Sequence, residues 1–121
     1  MSLIGVDHVQ LAIPAGGEEK ARRFYVDVLG LTELPKPGGL AARGGAWFTS
    51  GTVQVHLGVD PDFRPATKAH AAFRVAGLRA IEERARQRGY RIGEDEPLPG
   101  FARIFVYDPF GNRIELMQKL D

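Results

Sequence analysis

Apolar and polar side chains alternate along four stretches of the chain in the way typical of β-strands. In residues 52–59 (TVQVHLGV) every second side chain is apolar, and His56 lies on the opposite parity. Three further polar residues also lie on the parity opposite to the apolar positions of their runs: His8 in DHVQLAIP, His70 in KAHAAFRV and Glu115 in NRIELMQKL. Helices cover the apolar face of such a sheet, so we expect all four polar side chains on the other face.

The apolar parity of these runs predicts the sheet residues of the core. In the last run it comprises Ile114, Leu116 and Leu120. Two helices with a period of 3.6 residues are predicted to complete the core, and Gly30 and Gly89 are predicted to end them, because glycine accepts the left-handed conformation. The helical stripes are Ala21, Phe24, Tyr25, Val28 and Leu29 in the first helix and Leu78, Ile81 and Ala85 in the second.

The chain repeats weakly at an interval of about 60 residues. DHVQLAIP aligns with AHAAFRVA, and AWFTSGTVQVHLGV with RIFVYDPFGNRIELMQ, so His8 corresponds to His70 and His56 to Glu115. Each half is predicted to fold as strand, helix and three strands. We therefore predict a single α+β domain over residues 1–121, with two tandem βαβββ modules forming a curved mixed sheet around a central cavity. Module one spans 1–60, the connector 61–67 and module two 68–121.

Composition narrows the class of protein. The 121 residues carry 16 basic and 15 acidic side chains, a balance that argues against nucleic acid as a partner. The absence of cysteine excludes disulfides and thiolate metal sites. No apolar run is long enough to span a membrane, and MSLIGVDHVQ lacks the layout of a signal peptide. A cytoplasmic protein is the expectation.

His8, His56, His70 and Glu115 are candidate metal ligands. Three imidazoles and a carboxylate suit a divalent ion such as iron, zinc, nickel, manganese or cobalt. Four protein ligands leave two positions of a six-coordinate ion for a bidentate substrate, or for a substrate with dioxygen. The alternative interpretation is four polar residues on a solvated strand face.

Four features of the sequence belong together: two βαβββ modules, a histidine at the first strand of each module, and the segments FYVDVLGLTEL and DPFGNRIEL. In these features the chain resembles the vicinal oxygen chelate superfamily over nearly its whole length. That superfamily includes glyoxalase I, extradiol dioxygenases, fosfomycin-resistance transferases and bleomycin-resistance proteins. The resemblance implies the ligand set His8, His56, His70 and Glu115. It also implies a homodimer whose sites combine His8 and His56 of one chain with His70 and Glu115 of the other, although a monomer would also supply all four.

The chain departs from two members of the superfamily. In bacterial glyoxalase I the ligand corresponding to His56 is a glutamate, which puts methylglyoxal chemistry in doubt. The transferases and dioxygenases use two histidines and a glutamate, matched by His8, His70 and Glu115, which leaves His56 as a fourth ligand or a base.

A pocket with aromatic walls and guanidinium groups is predicted beside these ligands. Trp47 and Phe48 lie on opposite parities, so one of them faces it. Such a pocket would accept a small anionic ligand, unless the arginines bridge surface carboxylates instead. Phe63 belongs either to a lid or to a simple linker. The predicted pocket residues are Trp47, Phe63, Arg74, Arg103 and Phe105.

These expectations define a metal-dependent enzyme of glyoxalase type, an isomerase or lyase, in which the metal acts as a Lewis acid on a small oxygen-chelating substrate. Glu115 and His56 are its candidate catalytic residues, because either can move a proton. The alternatives are an iron-dependent dioxygenase and a protein like those of bleomycin resistance, which sequesters a ligand without turnover.

Overall fold

The computed structural model describes residues 2–121 and divides the chain into two compact units. The N-terminal unit ends at Arg64 and the C-terminal unit begins at Pro65. None of the helices in residues 2–121 has the length and apolar character needed to cross a membrane.

The N-terminal unit is a four-stranded mixed sheet in the order β1-β4-β3-β2. β1 runs parallel to β4, and the remaining pairs are antiparallel. A short helix, α2, interrupts the connection between the second and third strands. The elements are β1 (Val9–Ile13), α1 (Glu18–Tyr25), β2 (Thr32–Leu34), α2 (Gly38–Ala41), β3 (Ala46–Ser50) and β4 (Val53–Val59).

The C-terminal unit repeats this plan in the order β5-β8-β7-β6, again with its first and last strands parallel. Its helix follows the first strand, as in the N-terminal unit, and α2 has no counterpart. The elements are β5 (Ala71–Arg74), α3 (Leu78–Gln87), β6 (Ile92–Gly93), β7 (Phe101–Tyr107) and β8 (Arg113–Lys119). The predicted α+β fold of two tandem modules is therefore confirmed.

The helical part of the predicted core is largely confirmed. The Tyr25 ring of α1 stacks on Phe48 of β3 with 5.6 Å between centroids, which fixes α1 against the sheet. Gly89 has positive φ and directly follows the C-cap residue of α3, as predicted. Gly30 also has positive φ, but α1 already ends at Tyr25, and residues 26–29 form turns, so the predicted helix end at Gly30 is wrong. The buried positions are Ala21, Phe24, Tyr25 and Val28 of the first stripe and Leu78, Ile81 and Ala85 of the second, whereas Leu29 is half-buried.

Two details of the strand prediction are wrong. Leu120 is 52% exposed, because β8 ends at Lys119 and the alternation ends with it. His8 and His70 do not lie inside strands, since β1 and β5 each begin one residue later. The two imidazoles nevertheless keep the predicted face, as their contacts described below require.

Strand register is the same in the two units at the positions that matter for the site. Gln10 pairs with His56 across β1 and β4, and Ala72 pairs with Glu115 across β5 and β8. His8 lies two residues before Gln10 and therefore shares a face with His56. His70 lies two residues before Ala72 and shares a face with Glu115 in the same way.

Candidate functional site

Three aromatic rings form a continuous stack in the N-terminal unit. The His56 ring lies between His8, at 4.0 Å and 15°, and Trp47, at 4.1 Å and 8°. Register produces this stack, because Trp47 is the β3 partner of His56 and His8 projects from the start of β1 on the other side. Phe48, on the opposite parity from Trp47, is fully buried in the core.

Hydrogen bonds orient both imidazoles of the stack. Nδ1 of His8 lies 2.9 Å from a carboxylate oxygen of Asp7, an acceptor, so Nδ1 carries the proton and Nε2 is left with a lone pair. Nε2 of His56 lies 3.1 Å from the side-chain oxygen of Gln54. A carboxylate that fixes the tautomer of a histidine is the usual companion of a metal-binding imidazole.

The surroundings of His56 favour its neutral form. Burial lowers the pKa of His56, and the nearby His8 and Lys36 lower it further, against an opposing effect of Asp7. A neutral imidazole offers a lone pair to a metal or to a proton.

The C-terminal unit has a hydrogen-bonded chain at the equivalent place. Nε2 of His70 lies 2.9 Å from Oε1 of Glu115, and Arg103 donates from Nη1 to Oε2 of Glu115 over 3.2 Å. Nδ1 of His70 is 2.9 Å from the carbonyl oxygen of Lys68, and Arg103 donates from Nη2 to the carbonyl of Glu96 over 2.7 Å. Glu115 is buried, so its charge depends on these partners.

The His70–Glu115 contact is compatible with either a proton or a metal ion between the two atoms. The Lys68 carbonyl only accepts, so Nδ1 of His70 carries a proton. Nε2 either carries a second proton and donates it to Glu115 in an ion pair, or keeps its lone pair and shares a metal ion with the carboxylate. The separation of 2.9 Å also matches the roughly 3 Å between two adjacent ligands that each bind a metal at about 2.1 Å.

Two donor pairs are therefore present, one in each unit, and they suit a divalent metal unequally. His70 and Glu115 already have the spacing of adjacent ligands. His8 and His56 do not, because lone pairs lie in the ring plane and nearly parallel rings do not direct them to one point. One of these rings must rotate to bind the same ion. Among residues 2–121 no group of three or more histidine, cysteine or acidic side chains is assembled in a way that could hold a metal.

The predicted pocket residues occupy different surroundings. Trp47 belongs to the ring stack, Phe63 is half-buried and Arg74 is exposed. Phe105 is the β7 partner of Glu115 and packs edge-on against His70, with 5.5 Å between centroids. Arg103 is committed to Glu115, which makes it part of the support of that carboxylate.

Sequence reasoning missed two cations beside the ring stack. A cavity of about 540 Å³ opens on this face of the N-terminal unit, and its lining includes His8, His56 and Trp47 together with Lys36 and Arg43. Lys36 and Arg43 flank α2 and lie outside any predicted strand. The alternation of apolar and polar residues therefore gave no information about where their side chains point. The paired glycines on either side of Arg43 (GGLAARGG) were the only available sign of a tightly folded loop.

Comparisons with known proteins agree with this fold. The profile of the Glyoxalase/Bleomycin resistance protein/Dioxygenase superfamily matches residues 5–116. The chain therefore belongs to this superfamily. No match was found among curated proteins.

Among solved structures, a glyoxalase family protein from Bacillus anthracis is 42% identical, with a TM-score of 0.93 over 99% of this chain and 98% of that one. The fosfomycin resistance protein FosX from Listeria monocytogenes has the same fold at 16% identity, with a TM-score of 0.74 over 98% and 94% of the chains. TnmS3, an antibiotic binding protein from Streptomyces sp. CB03234, has it at 24% identity, with a TM-score of 0.73 over 99% of both. The family and the fold are thus defined.

Proposed function

We propose that this chain is a metal-dependent enzyme of the glyoxalase type, with His8, His56, His70 and Glu115 as the ligands of one divalent ion. The observation that carries the proposal is the 2.9 Å separation between Nε2 of His70 and Oε1 of Glu115, which is the spacing that two adjacent ligands of one ion would have. A bound divalent ion supplies Lewis acidity to a substrate with two neighbouring oxygens.

Three of the four candidate ligands, His8, His70 and Glu115, have a partner that orients them for an ion. Asp7 orients His8 and the Lys68 carbonyl orients His70, each through Nδ1, so the neutral form of each ring has its lone pair on Nε2. Arg103 holds Oε2 of Glu115, which leaves Oε1 as the oxygen available to an ion or a proton.

Two residues are proposed to move the proton in an isomerase or lyase reaction. Oε1 of Glu115 would leave the ion transiently, take a proton from one substrate carbon and return it to the neighbouring carbon, while Arg103 keeps Oε2 in position. His56 is the alternative base, because its lowered pKa keeps it neutral near pH 7.

The proposal includes a homodimer in the cytoplasm. Leu3, Ile4 and Val6 support the dimer, since they are 90%, 99% and 81% exposed and apolar groups gain by leaving water. Sedimentation of the purified chain tests this part separately from the chemistry.

Ligand sequestration without turnover is the second candidate. The cavity of about 540 Å³ beside the ring stack favours it, because that volume suits a small molecule and requires no metal. An iron-dependent dioxygenase differs from the main proposal in requiring a redox-active metal and dioxygen as a second substrate.

Metal content and metal affinity test the main proposal directly. Untagged protein is purified without chelator for elemental analysis, and the apoprotein is then titrated with Mn²⁺ and Zn²⁺ by calorimetry. We expect about one ion per chain, and at least tenfold weaker affinity in His70→Ala and Glu115→Gln. The matched control is Glu96→Gln, which changes an exposed carboxylate near Arg103 without touching the donor set.

Three outcomes decide between the candidates. Unchanged affinity in both ligand variants would contradict the ligand assignment. Wild-type protein that is metal-free and refuses both ions would favour sequestration. Activity confined to the iron-loaded protein under air would favour the dioxygenase.

A further inference from the structure

We propose that the cavity of the N-terminal unit binds the carboxylate of a small organic acid through Lys36 and Arg43, with the hydrocarbon part of the acid directed toward Leu40 and Trp47. This inference rests on the proposed function, because it names the class of substrate that the same face would take. It differs from the sequence expectation, which assigned the anion to Arg74 and Arg103.

The charge of the cavity lining favours an anion. Lys36 and Arg43 are its lysine and arginine, and Asp7 is its only acidic residue within the described chain, residues 2–121. Asp7 already accepts a hydrogen bond from His8. The carboxylate of Glu18, which lies outside the lining, acts electrostatically on Lys36, so the excess of positive charge in the lining rests on Arg43.

Arg43 is the stronger candidate for direct contact. Within residues 2–121 no carboxylate lies close enough to form an ion pair with its guanidinium, whereas Arg22, Arg79, Arg86 and Arg103 all have acidic partners. Lys36 donates to the carbonyl oxygen of Gly44 and keeps further donors for a ligand. A planar guanidinium with no other partner suits a carboxylate, to which it can donate two parallel hydrogen bonds.

The loop that carries both cations is fixed at its end. Oε2 of Glu18 in α1 accepts a hydrogen bond of 2.7 Å from the backbone N–H of Gly45. Gly44 and Gly45 have φ of +77° and +82°, and a Cβ at Gly45 would stand 2.1 Å from the carbonyl oxygen of Leu57. The loop therefore lies directly on β4, and Arg43 is attached next to this fixed point.

The apolar part of the lining defines the rest of the ligand. Leu40 and Val59 supply aliphatic surface, and Trp47 supplies an indole whose one face is covered by His56. Gln10 and Gln54 add amide groups that can bind an oxygen of the ligand. A volume of about 540 Å³ suits a compact acid and excludes a polymer.

Trp47 makes the test direct, because it is the only tryptophan in the chain and belongs to the cavity lining. Full-length protein treated with chelator is titrated with cyclohexanecarboxylate and, separately, with cyclohexanecarboxamide, while tryptophan fluorescence is recorded. Neither compound fluoresces, and the pair differs only at the charged group. We expect the acid to bind at least tenfold more tightly than the amide.

The variants Lys36→Met and Arg43→Met assign this preference to its residues. Each is expected to weaken binding of the acid roughly fivefold to tenfold and to leave binding of the amide unchanged. Lys20→Met is the matched control, since Lys20 is an exposed cation on α1 outside the cavity. Circular dichroism verifies that each variant is folded. If one of the two variants does not fold, the other still tests the inference.

Equal affinity for acid and amide, an undiminished preference in both variants, or no fluorescence response to either compound would overturn the inference. A preference that appears only after Mn²⁺ is added and disappears in His70→Ala would assign the carboxylate to the metal, which overturns this inference and supports the proposed function. A preference that survives in metal-free protein and depends on Arg43 supports the inference even if no metal ever binds.

Discussion

The two units contain the same register with different chemistry at one position. His56 and Glu115 occupy equivalent places on β4 and β8, and Trp47 and Phe105 are their equivalent neighbours. With an imidazole at that position the N-terminal unit forms a ring stack, and with a carboxylate the C-terminal unit forms a chain of hydrogen bonds through His70 and Arg103. The equivalent faces are therefore held mainly by ring contacts in one unit and by polar contacts in the other.

Glu115→Ala should give the largest effect on stability. The substitution leaves the guanidinium of Arg103 without its carboxylate, although that side chain is only 18% exposed and its Nε already has no partner among the described residues. We expect a loss of roughly 3–5 kcal/mol in the free energy of unfolding. Urea denaturation followed by circular dichroism measures it.

His56→Ala provides the other arm of that comparison. It removes two ring contacts and no charge, so we expect a loss of about 1–2 kcal/mol. If His56→Ala lowers the free energy of unfolding as much as Glu115→Ala or more, the expected difference in stability between the two faces is contradicted. Glu96→Ala is the control, with an expected change within about 0.5 kcal/mol.

The second prediction concerns the α2 loop, which only the N-terminal unit has. Gly45→Ala places a methyl group against the carbonyl of Leu57 at a positive φ, and we expect a loss of roughly 2–3 kcal/mol. Gly51→Ala is the control, because its φ is also positive, at +58°, while nothing lies within 4 Å. The control should lose about 1 kcal/mol. Equal losses in the two variants would show that the loop is not pressed against β4.

The smallest effect expected is a pH dependence that comes from His56. Its pKa is lowered in the folded protein relative to 6.5, chiefly by burial. The unfolded chain therefore binds more protons as the pH falls through about 6.5, and the folded state loses stability below that pH. Urea midpoints of metal-free protein at pH 7.5 and 5.5 should differ more in the wild type than in His56→Ala. A slope that is unchanged in the variant would assign the dependence to another group.

Much of this arrangement follows from alternation and repetition in the sequence. Strand parity predicted that His8 and His56 share a face, and that His70 and Glu115 do, because side-chain direction in a strand depends only on position. The repeat predicted that the two pairs occupy equivalent places in their modules, and the strand register of each unit reproduces this.

Other parts were beyond prediction for identifiable reasons. Strand ends are decided by where the ladder of hydrogen bonds begins, which is why His8 and His70 lie one residue outside their strands. Lys36 and Arg43 belong to an irregular loop whose path depends on two glycines and on Glu18, far away in sequence. Arg103 was correctly set on the polar face, but its commitment to Glu115 required coordinates.

The parallel pairing of first and last strands also has a consequence for folding kinetics. Val9 meets Val55 and Ala71 meets Ile114, so each of these pairs closes nearly the full length of its unit. Such closure is slow, because chain entropy is lost before the contact forms. The two members of each donor pair lie on the two sides of this parallel pairing. Each pair therefore forms only after the slowest step in the folding of its unit. Metal ions would therefore stabilise the finished fold without accelerating its formation, and stopped-flow refolding with and without Mn²⁺ should give the same rate.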